Sequence, residues 1–262
     1  MTSTEQAAVR LRDAASNRKP CAPVRDLIGE GNIASAYAVQ DLNTAKRIRA
    51  GARPAGRKIG MTSAAVQRQL GYYEPNYGTL FADREATNGA QIPADRLLQP
   101  RAEAEIAFVL NRDLGGEGLT IAHAMRAVEY AVCAIEIIDS RIAGWDIRAA
   151  DSVADNASCG MYVLGNRPRR VNEVELALCG MVSRLNGQIS SIGVGGASLG
   201  NPLLALLWLA RAVTAVGQSL KEGEIVLSGA LGPIVSLSTG DSFETEIDGF
   251  GSVRIALSSD GG

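Results

Sequence analysis

Two apolar segments of this chain are interrupted only by carboxylates, and this constrains the fold more than any other feature. Residues 101–110 read Arg-Ala-Glu-Ala-Glu-Ile-Ala-Phe-Val-Leu, and residues 131–138 read Ala-Val-Cys-Ala-Ile-Glu-Ile-Ile. Apolar runs of this kind predict buried strands. Side chains alternate along a strand, so Glu103 and Glu105 share one face while Ala102, Ala104 and Ile106 take the other. Two neighbouring carboxylates in an apolar setting either take up a proton or collect a cation, and a hard divalent ion with oxygen ligands is the common solution. Glu136, alone in Ala-Ile-Glu-Ile-Ile, is the third candidate ligand. Three carboxylates with open water positions suit magnesium or manganese. The alternative puts Glu103 and Glu105 on the solvent face of an edge strand, partnered by Arg101 or Arg112, with Glu136 at a strand margin.

Around these strands the pattern is α+β. Ala7, Ala8, Leu11, Ala14 and Ala15 recur at helical spacing, and a second helix is expected from Ile33 with Asn32 as its N-cap. The two prolines of Lys19-Pro20-Cys21-Ala22-Pro23 mark a turn between them. From Gly56 the texture changes to short strands and glycine turns: a strand over 57–61, a short helix over 64–70, and later strands over 225–228, 243–247 and 253–257. Asp248-Gly249 predicts a hairpin between the last two. Helices are expected after Thr120 and from Pro202 to about Val216, where Leu203, Leu206, Leu207 and Ala210 fall on one face. The expected organisation is a single domain over 1–262, with a helical preface (1–55) and a β-rich catalytic body (56–262). With 46% hydrophobic and 21% charged residues, the chain can bury a sizeable core.

Several function classes are disfavoured. The net charge of -2 and scattered basic residues lack the footprint of a nucleic-acid binder. Cysteines at 21, 133, 159 and 179 are too dispersed for a zinc site and are expected to be free thiols. The N-terminus has no leader-like pattern, and the longest apolar stretch, 202–210, is far short of a bilayer span. A soluble, cytoplasmic protein with no membrane partner is expected. His123 is the sole histidine, so no Ser-His-Asp set can form. A packing role is expected for Cys159. Glycines at 193–200 and 228–233 lack the Lys-Ser/Thr of a phosphate loop; the first also lacks a preceding strand, and turns or close backbone approach account for both. Lys58, between glycines in Gly56-Arg57-Lys58-Ile59-Gly60, could reach a ligand carboxylate or assist proton transfer, or could be a solvated lysine. Ser158 could donate a hydrogen bond.

Gly56-Arg57-Lys58-Ile59-Gly60-Met61-Thr62, Gly78-Thr79-Leu80-Phe81-Ala82-Asp83, Leu98-Gln99-Pro100-Arg101-Ala102-Glu103-Ala104-Glu105-Ile106, Val153-Ala154-Asp155-Asn156-Ala157-Ser158-Cys159-Gly160 and Leu227-Ser228-Gly229-Ala230-Leu231-Gly232-Pro233 together resemble the 2-keto-4-pentenoate hydratase family of the fumarylacetoacetate hydrolase superfamily. The resemblance runs from Leu27 to Val253. It implies a β-rich, mixed, barrel-like body with flanking helices, assembled as homo-oligomers often built from pentamers. It implies hydration of 2-hydroxypenta-2,4-dienoate to 4-hydroxy-2-oxopentanoate in aromatic meta-cleavage catabolism. It places the metal on Glu103, Glu105 and Glu136, and an acid-base or carboxylate-binding role on Lys58. Asn76, Leu80, Ser158 and Gly160 would bind substrate. One departure stands out: the family's Pro-Asp-aromatic-Gly motif is Pro75-Asn76-Tyr77-Gly78 here, and an amide cannot act as a carboxylate base. The aspartate's role would fall to Lys58, to Asp83 or to a metal-bound water, or the activity differs; Asp83 is the expected catalytic substitute, with a turn residue as its alternative role. The rival readings are a 4-oxalocrotonate decarboxylase, a carbon-carbon hydrolase, which His123 is badly placed to serve, and a scaffold subunit. A pathway-enzyme partner that channels the unstable dienol is also expected.

Overall fold

The computed structural model describes residues 1–259 apart from 65, 66, 69 and 70. The helix expected over 64–70 lies largely outside the described residues.

Three helices open the chain: α1 (Ser3–Ser16), α2 (Arg25–Ile28) and α3 (Ile33–Arg49). Thr2 and Glu5 form a reciprocal cap on α1, and the Asn32 side chain accepts from Ser35 N at the start of α3, satisfying amides that lack partners within the helix. The first strands are β1 (Pro54–Gly60), β2 (Asn76–Phe81), β3 (Glu85–Ala86) and β4 (Gln91–Pro93). The carboxylate-bearing segments follow as β5 (Pro100–Leu110) and β6 (Val128–Asp139), separated by α4 (Ile121–Ala127). Next come α5 (Ala149–Ala154), β7 (Cys159–Leu164), β8 (Gly180–Leu185), β9 (Gln188–Val194) and α6 (Pro202–Ala215). The chain closes with β10 (Ile225–Leu227), β11 (Val235–Ser236), β12 (Ser242–Ile247) and β13 (Gly251–Ser258).

Among the described residues the strands form two sheets. The larger runs β2-β1-β10-β5-β6-β7-β3, with β11 pairing to β5; the smaller runs β4-β13-β12-β8-β9. The Asp248-Gly249 turn joins β12 to β13 in antiparallel register. The glycine segment at 193–200 does follow a strand, β9, contrary to the sequence-based expectation, but β9 is an antiparallel edge strand.

Alternation divides the larger sheet. Ala102, Ala104, Ile106, Phe108 and Leu110 of β5, with Ala131, Cys133, Ile135 and Ile137 of β6, belong to the main core. That core also takes in Leu206, Leu209 and Val213 of α6 and Phe243, Val253 and Ile255 of the smaller sheet. The helical stretch Gly195–Ala215 is long and apolar enough to cross a membrane by length and composition, but here Leu203, Leu206, Leu207 and Leu209 of α6 fill the protein's own interior. On the other face, Leu80, Ala107, Val132, Ala134, Tyr162 and Leu227 form a second buried cluster, the apolar floor beneath the carboxylates. Residues of α1, α2, α3 and α5 make a third. Gln40 ties this layer to the sheet, its amide nitrogen donating to Tyr77 O and Val153 O.

Candidate active site

Antiparallel pairing of β5 with β6 sets Glu103 directly opposite Glu136. Glu105, two residues along, shares their face. The three carboxylates offer oxygens that all lie within 4.8 Å of one another. Glu105 and Glu136 are fully buried, while Glu103 is only partly so. Glu105 and Glu136 are therefore off the solvent face, and β5, paired to β10 and β6, is not an edge strand.

The charges are incompletely matched. Lys58 Nζ lies 3.0 Å from Glu136 Oε2 and donates to Ala157 O at 3.0 Å. Glu105 Oε2 accepts from Gly229 N at 2.6 Å, but Glu105 Oε1 accepts no hydrogen bond, and the Lys58 ammonium is the one cation beside Glu136. One ammonium thus faces three carboxylates. Burial, followed by repulsion from Glu136 and Glu103, holds the Glu105 carboxyl well above its usual range. Burial also lifts Glu103 to about 7, against the pull of Lys58 and with Glu136 adding to the rise. Burial alone would lower the Lys58 pKa, yet the carboxylates, Glu136 first, outweigh it and push the value up. Lys58 is therefore a buried lysine rather than a solvated one, held as a hydrogen-bond-donating ammonium while the carboxylates beside it carry no cation. Buried orphan oxygens are costly, and a hard divalent cation is the partner this all-oxygen donor set suits.

Local backbone builds the surroundings. Gly229 has φ of 96°, and a Cβ there would fall 2.4 Å from Thr62 Oγ1, so only glycine lets this amide reach Glu105. Asn156, Ala157 and Ser158 all adopt left-handed conformations, with φ of 57°, 50° and 54°, at a cost of roughly 1–2 kcal/mol each. The Asn156 side chain secures this turn by accepting from Thr79 N at 2.7 Å and donating to Thr79 O at 2.9 Å. Asp155, buried with Arg141, secures its base: Arg141 N donates to Asp155 Oδ2 at 2.9 Å and Arg141 Nη1 to Cys159 O at 2.9 Å. The strained turn aims Ala157 O at Lys58 and leaves the buried Ser158 Oγ without a partner.

Asn76 begins β2 opposite Gly60. Its amide nitrogen donates to Ser152 Oγ at 3.1 Å, and its buried Oδ1 is without a hydrogen bond. A methyl group placed on Gly60 would lie 2.4 Å from Asn76 Oδ1 and 3.5 Å from Lys58 Nζ, so both groups face one small volume. Leu80 is in the apolar floor. Gly160 has a packing role, since a Cβ there would sit 2.5 Å from Ile137 O.

Asp83 requires correction. It lies on an exposed turn, where both its oxygens accept from Arg47 Nη2 at 2.9 Å. It lines a separate cavity of about 890 Å³ with Arg84, Arg96 and Arg141, and none of Lys58, Glu103, Glu105 or Glu136 contributes to that wall. Asp83 reads as a catalytic substitute because it is acidic and close in sequence to Asn76, but the structure does not bring it to the carboxylate trio. His123 caps α4, its Nδ1 lying 2.8 Å from Thr120 Oγ1.

Sequence reasoning passes over Arg141, Asp139 and Ser228. Asp139 accepts from the amides of Leu98 and Gln99 and so fixes the entry to β5. The polar triplet Asp139-Ser140-Arg141, abutting an apolar strand, is the signal that could have found the first two. Ser228 Oγ is a further buried orphan, beside the amide that serves Glu105.

Comparison with known proteins identifies the family. The family model described as fumarylacetoacetate hydrolase C-terminal matches residues 58–257. The TodF product hydratase of Pseudomonas putida F1 is 52% identical over 255 residues, covering 97% of this chain and 95% of that protein. The 2-keto-4-pentenoate hydratase 1 of Dechloromonas aromatica is 48% identical over 253 residues, covering 97% and 96%. Among solved structures, 4-oxalocrotonate decarboxylase from Pseudomonas putida G7, complexed with magnesium and adipate, superposes with a TM-score of 0.92 at 30% identity, covering 97% of each chain. The chain belongs to the fumarylacetoacetate hydrolase family, in its 2-keto-4-pentenoate hydratase branch.

Proposed function

We propose that this chain hydrates 2-hydroxypenta-2,4-dienoate to 4-hydroxy-2-oxopentanoate, using a divalent cation, magnesium or manganese, held by Glu103, Glu105 and Glu136. The observation that carries the reading is the convergence of three carboxylates whose oxygens lie within 4.8 Å of one another, with two side chains fully buried and one lysine beside them. The hydratase names of the similar proteins support the substrate class. When bound, the cation supplies positive charge for the carboxylate and 2-oxygen of a 2-oxo acid and for the negative charge that develops there.

The chain's own groups bind, orient and polarise the substrate. Lys58 Nζ, kept protonated by its carboxylate neighbours, donates a hydrogen bond to the substrate carboxylate or the developing oxyanion. Ser158 Oγ, with no internal partner, donates a second. Asn76 Oδ1, likewise unsatisfied, accepts from a hydroxyl or from the adding water but takes no proton away. The apolar floor of Leu80, Leu227 and Tyr162 keeps bulk water from the conjugated carbons, which protects the dienol from unguided protonation.

The unit that acts is the whole chain as one domain, in which the helical preface supports β2 and α5 through Gln40. A cytoplasmic homo-oligomer, pentamer-based as the resemblance implies, and association with a neighbouring pathway enzyme complete the proposal. The test follows the ultraviolet absorbance of freshly made 2-hydroxypenta-2,4-dienoate, with and without manganese, while monitoring carbon dioxide from 4-oxalocrotonate. Manganese-dependent loss of the dienoate is expected. Carbon dioxide release without hydration would replace the reading by decarboxylation, and inactivity on both would leave a scaffold subunit.

A further inference from the structure

Arg101 stands on the same face of β5 as Glu103 and Glu105, because side chains two residues apart point the same way. Among the described residues its guanidinium makes no ion pair or hydrogen bond. It lies instead over the Trp145 ring, 4.3 Å from the centroid. It is partly buried.

The backbone around Trp145 is strained to hold the ring there. Trp145 adopts a left-handed conformation with φ of 57°, following Gly144 at 64°, and such a backbone is a marked outlier for a bulky residue. Gln99 fastens the loop: Gln99 O accepts from Trp145 Nε1 at 3.1 Å, and Gln99 Oε1 accepts from Gly144 N at 2.8 Å. Gln99 is in turn fixed by Asp139, which accepts from its backbone amide at 2.6 Å. A strained aromatic platform thus supports a cation whose donors are unused, on the face that carries the carboxylates.

We propose that Arg101, braced by Trp145, is a subsite for an anionic group at the far end of the substrate, so that this site takes 2-oxo dicarboxylic acids as well as neutral-tailed acids. The inference rests on the carboxylate trio anchoring the 2-oxo acid head. Two residues along a strand span about 7 Å, about the length of an extended six-carbon chain, and a planar guanidinium matches a carboxylate with two parallel hydrogen bonds. A neutral-tailed acid leaves those donors to water, whereas a dicarboxylic acid engages them.

The experiment compares 2-oxohexanedioate with 2-oxohexanoate, equal in length but differing in the distal carboxylate, as inhibitors of hydration by the manganese-loaded protein. In the wild-type chain the diacid should inhibit ~10-fold or more strongly than the monoacid, the scale of one charge-assisted pairing. Arg101→Gln should bring the ratio of the two inhibition constants to about one, and Arg101→Lys should leave an intermediate ratio. Trp145→Leu, which keeps the guanidinium but removes its platform, should also lower the ratio and serves if the Arg101 variants do not fold. Equal inhibition in the wild-type chain, or a ratio preserved in Arg101→Gln, overturns the role of Arg101 and leaves the hydratase reading intact. If neither acid inhibits the wild-type chain, the anchoring of the 2-oxo acid head fails, and this inference fails with it.

Discussion

Replacing Glu103 by glutamine should make the metal-free protein more stable, by an amount that depends on pH. The Glu103 carboxyl is raised from 4.5 to about 7, first by burial, then, against the pull of Lys58, by Glu136. A carboxyl whose folded pKa is raised contributes stability that is fully present below its ordinary value and is lost as pH rises through the folded value. Each unit is worth about 1.4 kcal/mol, so ionising Glu103 in the metal-free fold costs roughly 3 kcal/mol by about pH 9 and under about 1 kcal/mol at about pH 5. Glutamine escapes that cost while keeping nearly the same shape. For a chain of this size, about 3 kcal/mol corresponds to ~6–12 °C in Tm. Thermal unfolding followed by circular dichroism in chelator should show Glu103→Gln melting above the wild-type chain at about pH 9 and close to it at about pH 5. Excess manganese should then raise the wild-type Tm and leave the variant's nearly unmoved. A variant no more stable than wild type at the higher pH, or one that keeps the full manganese shift, refutes the reasoning.

Three further changes probe the surroundings. Lys58→Met should retain manganese binding by calorimetry while turnover falls ~10²–10⁴-fold, and an unchanged rate removes Lys58 from the site. Arg141→Met leaves the buried Asp155 uncompensated and should cost about 3–5 kcal/mol in urea unfolding; a loss below about 1 kcal/mol would mean that the base of the 156–158 turn is held otherwise. Asp83→Asn removes only exposed pairings with Arg47 and Arg84, so turnover should stay within about two-fold and stability within about 1 kcal/mol; a collapse of turnover would restore Asp83 as a catalytic group.

The carboxylate trio is legible in sequence because period-two alternation puts Glu103 and Glu105 on one face, and because an apolar surround makes an unpaired charge costly at all three positions. The direct opposition of Glu103 to Glu136 is a matter of register, which the strand sequences alone leave open. The Asn32 cap is a local signal, and α3 begins where that residue indicates. The consecutive left-handed residues at 156–158 are not legible, because alanine has no preference for that conformation and the turn is imposed by Thr79 and Arg141, distant in sequence. Asp83 fails for a related reason: proximity along the chain does not say which way β2 delivers the turn that follows it. Sequence offers Arg101 only as a partner for the glutamates, whereas Trp145, more than forty positions away, draws its guanidinium aside.

The central claim is that Glu103, Glu105 and Glu136 close around one divalent ion. Titrating manganese into the chelator-treated chain by calorimetry, in two buffers of different ionisation enthalpy, tests it most directly. The account predicts one manganese per chain and, near neutral pH, release of protons to the buffer as the raised carboxyls ionise. Binding that persists when all three glutamates are changed to glutamine, or no saturable binding in the wild-type chain, contradicts it.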